Sequence, residues 1–218
     1  MDGVTDNQGL VLDGVQIRLG ARELVALNAR IGRGETLTVM GPSGSGKSTL
    51  LACLGGFLDP VFSASGSVVV DGVEITALPA EKRRAGLLFQ DPLLFPHLSV
   101  ADNIAIALPE DIRGRGQRRA LALEALADVD LAEFGDRDPD TLSGGQKARV
   151  ALQRVLASRP RLLLLDEPFS KLDAHLREQT RQMVFDRARR AGLPVVLVTH
   201  DEDDARAAGG AVHRVGQP

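Results

Sequence analysis

The sequence contains no tryptophan and no tyrosine, and aromatic residues make up only 3% of its 218 residues. Its single cysteine, Cys53, excludes an intrachain disulfide and suits a reducing compartment. No apolar run approaches the ~18 residues that span a bilayer. The acidic start, residues 1–6, lacks the apolar segment of a signal peptide. A net charge of −3 gives no basic field, so we expect no nucleic-acid partner.

Short apolar runs alternate with helix-like segments over most of the chain. The run at 36–40 precedes a glycine-rich loop, and the runs at 162–165 and 195–199 are typical of buried parallel strands. An Asp-Gly turn predicts an antiparallel hairpin over 68–75. We therefore expect an α/β fold with a mainly parallel sheet, an antiparallel β part near the N-terminus and a helical insert over about 91–141.

The glycine-rich loop matches the pattern Gly-x-x-x-x-Gly-Lys-Ser. Such a loop curls so that several backbone N–H groups point at one anion, and it therefore predicts a nucleoside-triphosphate site. Lys47 would bring positive charge to the β- and γ-phosphates, and the Ser48 hydroxyl would ligate Mg²⁺. The predicted nucleotide-binding residues of this loop are Gly41, Pro42, Ser43, Gly44, Ser45, Gly46, Lys47, Ser48 and Thr49.

Two acidic residues, Asp166 and Glu167, end the apolar run at 162–165. A carboxylate at the end of an inner strand beside a phosphate loop is placed to hold Mg²⁺, which predicts Asp166 as a metal ligand. Taken alone, an Asp-Glu pair before Pro168 also fits a strand end and a turn. His200 follows another apolar run, and a single histidine is more often structural than functional. The histidines show no metal-ligand spacing, so we expect no structural metal.

A further segment, Leu142-Ser143-Gly144-Gly145-Gln146, lies between the phosphate loop and the paired acids. With this order of motifs, nearly the whole chain resembles the ATP-binding subunits of ABC transporters. The resemblance implies a single ABC ATPase domain over 1–218. It implies a P-loop NTPase core at 1–90 and 142–218, with the helical subdomain inserted at about 91–141. It also implies ATP and Mg²⁺ as cofactors.

The catalytic roles follow from the same resemblance. Glu167 would polarise the attacking water as general base, and His200 would contact the γ-phosphate. Gln90, at the end of a predicted strand over 86–90, would contact Mg²⁺ or that water and begin the hinge to the helical insert. A solvated glutamine is the alternative. The implied catalytic residues are Glu167, His200 and Gln90, and the implied metal ligands are Ser48, Gln90 and Asp166.

The pentapeptide predicts a dimer. Ser143, Gly144, Gly145 and Gln146 open a predicted helix, whose first N–H groups would form a second anion site. One triphosphate does not need two such sites from one chain. The resembling family forms a head-to-tail pair in which each nucleotide lies between two subunits, so we expect a second ATPase subunit. The complete motif set favours a homodimer, and a related chain as partner is the alternative. Lys171, where the family more commonly has alanine, would face solvent or that partner.

Two features depart from the family. The family usually stacks adenine on an aromatic residue before the phosphate loop, and Leu19 occupies that place here. Leucine provides apolar contact without a π face, so we expect weaker or less base-selective nucleotide binding. Residues 59–66 form a loop that is a few residues longer than usual, and the sequence offers no physical reason for it.

The apolar segment at 93–100 resembles the part of bacterial import ATPases that receives a helix from the membrane subunit. A loop packed on its own insert is the alternative. This favours an importer subunit, peripheral on the cytoplasmic face of the inner membrane, with transmembrane permease subunits and a solute-binding protein as partners. The alternatives are an exporter or lipoprotein-release ATPase and a soluble non-transport ABC ATPase. A small-molecule kinase would explain neither the pentapeptide nor His200.

Overall fold

Two long strands with alternating buried and exposed side chains begin the computed structural model, which describes residues 9–216 apart from the side chain of His175. β1 (Leu10–Leu19) and β2 (Arg22–Ile31) pair antiparallel, because one face of each carries the apolar side chains that the core buries. β4 (Phe62–Val70) pairs with the other edge of β1, and β5 (Val73–Glu74) follows it. The predicted antiparallel part near the N-terminus is confirmed, including the Asp-Gly turn between β4 and β5.

A second sheet contains five strands in the order β6-β7-β8-β3-β9. The neighbours β7/β8, β8/β3 and β3/β9 are parallel, as the continuous apolar runs predict. The side chains of β3 and β8 are buried along their whole length. The strands are β3 (Thr36–Met40), β6 (Ala85–Leu88), β7 (Leu162–Asp166), β8 (Val195–Val198) and β9 (Ala211–Arg214).

Helix α1 (Lys47–Gly55) begins directly after the glycine-rich loop and is fixed by its apolar face. Leu50, Leu51 and Leu54 are at most 2% exposed and pack in one core with residues of both sheets. Burying side chains of this size stabilises a fold by about 1.5–3 kcal/mol each, so the core holds the start of α1 firmly beside the strand ends. Two shorter helices, α2 (Ala80–Arg83) and α7 (Glu202–Ala208), complete this part of the chain.

The remaining residues form a helical unit with its own core. Apolar side chains of three helices pack together there, among them Val100, Ile104, Leu126 and Val150. Short 3₁₀ turns at Ala132–Phe134 and Pro139–Thr141 connect two of these helices. The helices are α3 (Val100–Ala105), α4 (Arg115–Ala127), α5 (Gly144–Ala157) and, in part, α6 (Ala174–Arg190).

The chain divides into two compact units at positions that differ from the predicted boundaries. The β-rich unit contains the described residues up to 87, residues 161–167 and the residues from 185 onward; the helical unit contains 88–160 and 168–184. Leu142 and Val150 belong to the helical unit because they share the apolar core of α3 and α4. The start of α5 therefore packs within the helical unit, and the predicted boundaries of the ATPase core stay a prediction.

The strand predicted over 86–90 is shorter in the structure. It ends at Leu88, so Gln90 lies two residues beyond β6 and is exposed on a bend. Within residues 9–216, none of the helices combines the length and apolarity that a membrane span requires.

Candidate active site

The phosphate loop connects β3 to α1, and glycine makes its tight curve possible. Gly44 and Gly46 have φ values of 77° and 92°, in the left-handed region that L side chains rarely adopt. A Cβ on Gly46 would also lie only 3.0 Å from side-chain atoms of Leu24 and Val25. The loop therefore requires glycine at position 46, and it leads directly into α1, whose first N–H groups have no side-chain cap.

Lys47 is the first residue of α1, and it is only 7% exposed. Its ammonium group donates hydrogen bonds to the backbone oxygens of Gly41 and Pro42, each at 2.9 Å. The buried Ser45 hydroxyl has no hydrogen-bond partner among the described residues. A buried cation and an unpaired hydroxyl in one loop fit an anionic ligand, because phosphate oxygens accept hydrogen bonds from both.

The end of β7 brings a carboxylate to the same loop. Asp166 Oδ1 accepts a hydrogen bond from Ser48 Oγ at 3.2 Å. Burial raises the pKa of Asp166, and the negative charge of Glu167 raises it further, while Ser48 and Lys47 act in the opposite direction. A half-buried carboxylate beside a hydroxyl forms the oxygen donor set that Mg²⁺ prefers. The predicted ligands Ser48 and Asp166 therefore fit a divalent cation.

Glu167 follows Asp166 with an unusual backbone conformation. Its φ is 46°, in the left-handed region that is uncommon for residues other than glycine. Its backbone N–H donates to Val198 O at 2.9 Å, which holds the strand end. Its side-chain Oε1 lies 3.1 Å from Nδ1 of His200, and the Glu167 side chain is 27% exposed. Because of this turn, the side chain of Asp166 contacts Ser48, whereas the side chain of Glu167 contacts the imidazole of His200.

Side chains that the sequence analysis missed hold His200 in place. Thr199 Oγ1 donates to Asp204 Oδ2 at 2.9 Å and accepts from the backbone N–H of Asp201 at 3.0 Å. Thr199 and Asp204 are 1% and 3% exposed. A Thr before the histidine and acidic residues in the first turn of α7 are the sequence signals that could have indicated this support.

One cleft of about 780 Å³ contains most of the predicted site residues of the β-rich unit. Lys47, Ser48, Glu167 and His200 line it, together with Ser43, Gly44, Gly46 and Thr49. Leu19, Arg22, Leu24 and Phe62 also line the cleft. The sequence analysis named only Leu19 of these four, as a departure from the family. The phosphate loop, Glu167 and His200 therefore line one cleft, while their catalytic roles stay predictions.

The pentapeptide forms the start of α5 in the helical unit. Gln146 N donates to Ser143 Oγ at 3.3 Å, and Ser143 N donates to Gln146 Oε1 at 2.8 Å, which is a capping box. A Cβ on Gly145 would lie 3.1 Å from Leu176 Cδ2, so this glycine allows close packing of α6 on α5. Ser143 and Gly144 are exposed, as a surface that contacts a ligand requires.

Gln90 also belongs to the helical unit, where its neighbour Asp91 forms an ion pair with Lys171. Lys171 is half-exposed and pairs with Asp91 of its own chain. The sequence analysis had predicted contact with solvent or with the partner subunit, and it did not predict this ion pair. The contacts of the β-rich cleft do not include Gln90, so its catalytic and metal-binding roles stay predictions.

Known proteins of one family are similar to this chain over most of its length. The family described as "ABC transporter" matches residues 24–170. YnjD of Escherichia coli (strain K12), an uncharacterized ABC transporter ATP-binding protein, is 45% identical over 91% of this chain and 91% of its own length. A spermidine/putrescine import ATP-binding protein, PotA of Nitrosomonas europaea, is 42% identical over 88% of this chain. The chain spans 55% of that PotA, or about half the length of such relatives.

Solved structures agree with this assignment of the fold. The dimeric structure of MJ0796, described as a bacterial ABC transporter cassette, is 34% identical and superposes with a TM-score of 0.76 over 94% of both chains. A dimeric post-hydrolysis state of the same cassette, bound to ADP and Pi, gives the same TM-score at 33% identity. The predicted fold class, an α/β P-loop NTPase core with an antiparallel β subdomain and a helical subdomain, is confirmed.

Proposed function

This chain belongs to the ABC transporter family, and we propose that it is the ATP-binding and hydrolysing subunit that drives solute import through such a transporter. The observation that carries the proposal is the Glu167–His200 pair at 3.1 Å in the cleft that also contains Lys47. A carboxylate oriented by an imidazole beside a phosphate loop can activate water against a bound triphosphate.

The phosphate loop positions the substrate. Its N–H groups and the Lys47 ammonium bind the β- and γ-phosphates, and Ser45 Oγ donates the hydrogen bond that it lacks within the described residues. Ser48 and Asp166 would hold Mg²⁺, with Gln90 as a proposed third ligand. Mg²⁺, when bound, neutralises part of the negative charge on the phosphate oxygens. Charge stabilisation and alignment then come from residues that are already fixed by α1 and β7.

Glu167 takes the proton in the chemical step. The oxygen of water forms a bond to the γ-phosphorus, the bond from that phosphorus to the β–γ bridging oxygen breaks, and the proton of the water passes to the Glu167 carboxylate. His200 Nδ1–H donates to Glu167 Oε1 and keeps the carboxylate in position. The products are ADP and phosphate, and Glu167 returns the proton to solvent.

The pentapeptide supports a nucleotide-bridged dimer. The first turn of α5 presents the exposed Ser143 and Gly144, and a helix start carries a partial positive charge. We propose that Ser143, Gly144, Gly145 and Gln146 bind the γ-phosphate held by the phosphate loop of a second copy. The matching arrangement in the second copy makes the interface isologous, so that two ATP molecules are enclosed.

A permease is the proposed partner of the helical unit. Leu93 and Phe95 are 55% and 41% exposed, although Arg154 and Asn103 hold the backbone of this segment. A fixed backbone that displays apolar side chains suits a helix-in-groove contact. Import is supported by relatives that are named import ATP-binding proteins. The remaining proposed features are peripheral location on the inner membrane and a solute-binding protein in the same system.

The proposal is tested with tagged Glu167→Gln protein, incubated with Mg-ATP and recovered from solubilised native membranes. We expect a polytopic membrane protein with about two ATPase chains for each assembly. The control is the same variant without nucleotide, which should recover less of the dimeric form. Recovery of soluble or nucleic-acid-associated partners alone would overturn the transport assignment.

A further inference from the structure

We propose that Phe62, a residue of β4 rather than of the β1–β2 region, supplies the aromatic face on which the nucleotide base stacks. The proposal rests on the proposed function, because it concerns the base of the bound ATP. It also revises the expectation that Leu19 leaves the base without a π contact. Phe62 lines the same cleft as Leu19 and the phosphate loop.

Strand register places Phe62 beside Leu19. The Cα partner of Leu19 is Phe62 on β4 and Arg22 on β2. Residues directly opposite each other on neighbouring strands project from the same face, with Cβ atoms about 4.5–5.5 Å apart. Arg22, Leu19 and Phe62 therefore form one row across three strands.

This row belongs to the face of the sheet that points toward the core. Ile17, two residues before Leu19 on β1, pairs with Ala64 on β4 and Val25 on β2. Ile17 and Val25 are 0% and 1% exposed. Leu19 and Phe62 continue the same face to the point where the core ends, and Leu19 is 42% exposed there. The apolar face thus runs from the core into the cleft.

Most of the segment predicted as a long loop over residues 59–66 is strand, because residues 62–66 belong to β4. Gly66 has a φ of 93°, and a Cβ at this position would lie 2.3 Å from Gly14 O, so a glycine is required where β4 crosses the irregular part of β1. Residues 62–65, which precede Gly66, form the first part of β4 and pair with the end of β1. Asp59 fixes the start of this extension, because its backbone oxygen accepts from Phe62 N at 3.0 Å.

The two ends of the cleft differ in chemistry, and together they fit a nucleotide. The phosphate loop fixes the polyphosphate end, through Gly44, Gly46 and Lys47. Leu19, Leu24 and Phe62 form an apolar lining, and Phe62 is the only phenylalanine among the described lining residues. A planar base fits an aromatic ring there, whereas a phosphate or a metal ion gains nothing from it.

The absence of tryptophan and tyrosine makes a direct test possible. Phe62→Trp would carry the only indole of the protein, so its fluorescence reports on one position. We expect ATP to quench this fluorescence and inorganic tripolyphosphate to leave it nearly unchanged, because only ATP carries a base. The matched control is Phe57→Trp, since Phe57 is 48% exposed and does not line the cleft. Equal responses of the two variants to ATP would overturn the proposal.

A binding measurement gives the second test. In Phe62→Leu we expect ATP to bind at least about 5-fold more weakly, the lower limit for loss of one base–aromatic stack. Tripolyphosphate should bind as it does to the unaltered protein. Adding Leu19→Tyr to Phe62→Leu should restore most of the ATP affinity by returning a ring to the same row. Unchanged ATP affinity in Phe62→Leu overturns the proposal, whereas failure of the unaltered protein to bind either ligand overturns the proposed function itself.

Discussion

Two helices of this protein begin with glycine-rich segments, and their first turns are held in different ways. Gly46 precedes α1 in a left-handed conformation, and no side chain caps that helix. Ser143 precedes α5 and forms a capping box with Gln146, so two of the first N–H groups have partners within the chain. The first N–H groups of α1 therefore have no side-chain partner and can bind a ligand. The start of α5 is already held by its own capping box when no ligand is bound.

The first turns also differ in their lysines. Lys47 is 7% exposed and bonded to two backbone oxygens of the loop before it. Lys147 occupies the first turn of α5, and its side chain is 29% exposed and pairs with Asp140 at 3.1 Å. A buried cation beside open N–H groups binds a phosphate strongly, whereas a solvated ion pair contributes little. The comparison assigns the main phosphate site to α1, whereas the start of α5 is a preformed surface that is proposed to meet the nucleotide held by a second copy.

The largest expected effect concerns chemistry beside α1. Glu167→Gln removes the base but keeps the side-chain shape, so we expect the hydrolysis rate to fall by about 10²–10⁴-fold. ATP affinity should change little, because the phosphate loop is intact. Single-turnover hydrolysis and equilibrium binding of ATP measure the two quantities separately. A near-normal hydrolysis rate would remove Glu167 from the mechanism and leave α1 as a binding site alone.

Lys47→Met is the next largest change. Methionine keeps much of the apolar stem but loses the ammonium, so we expect ATP affinity to fall by about 100-fold or more, as for the loss of a charge-assisted hydrogen bond of about 3 kcal/mol. Lys147→Met is the matched control, and it should leave the ATP affinity of the isolated chain within about 2-fold, since it removes only an exposed ion pair. Calorimetric titration with Mg-ATP compares the two. Similar losses in both variants would contradict the distinction drawn between the two helix starts.

The sequence predicted the α1 site better than its surroundings. The phosphate-loop pattern and the acids after an apolar run have local causes, and Lys47 and Asp166 make their contacts within the phosphate loop and at its Ser48. The chemical roles of these residues, and those that the resemblance implies for Glu167 and His200, stay predictions. The capping box at Ser143 is also readable, because a serine followed three residues later by glutamine is a helix-start signal.

Long-range pairing explains what the sequence did not predict. Phe62 reaches the cleft through its register with Leu19, and no local pattern fixes the register of strands so far apart in the chain. The packing of α5 was not predictable for a similar reason. The periodicity of α5 predicts a helix, but not that Val150 packs with α3 and α4. Likewise, the partner of Lys171 is Asp91, 80 positions earlier in the chain.

Ser143→Ala tests the other half of the comparison. Loss of an N-cap serine costs about 0.5–2 kcal/mol of stability, and we expect the lower half of that range because Ser143 is exposed. Urea unfolding without nucleotide measures the loss. Ser43→Ala is the matched control, since α1 has no side-chain cap to lose, and it should leave the unfolding midpoint unchanged. Equal stability of both variants would show that the capping box does not hold α5.

The smallest expected effect extends the comparison of lysines to Lys171. Its ion pair with Asp91 joins two half-exposed side chains, at 51% and 59%. Such pairs contribute about 0–1 kcal/mol and are screened by salt, so Lys171→Ala should lower the free energy of unfolding by no more than that. Asp91→Asn should have the same effect, and the double variant should lose little more than either one, because both changes remove one interaction. Urea unfolding at low and high salt measures these differences. A loss that is additive or independent of salt would show that Lys171 acts through another contact, which would then be sought at the partner subunit.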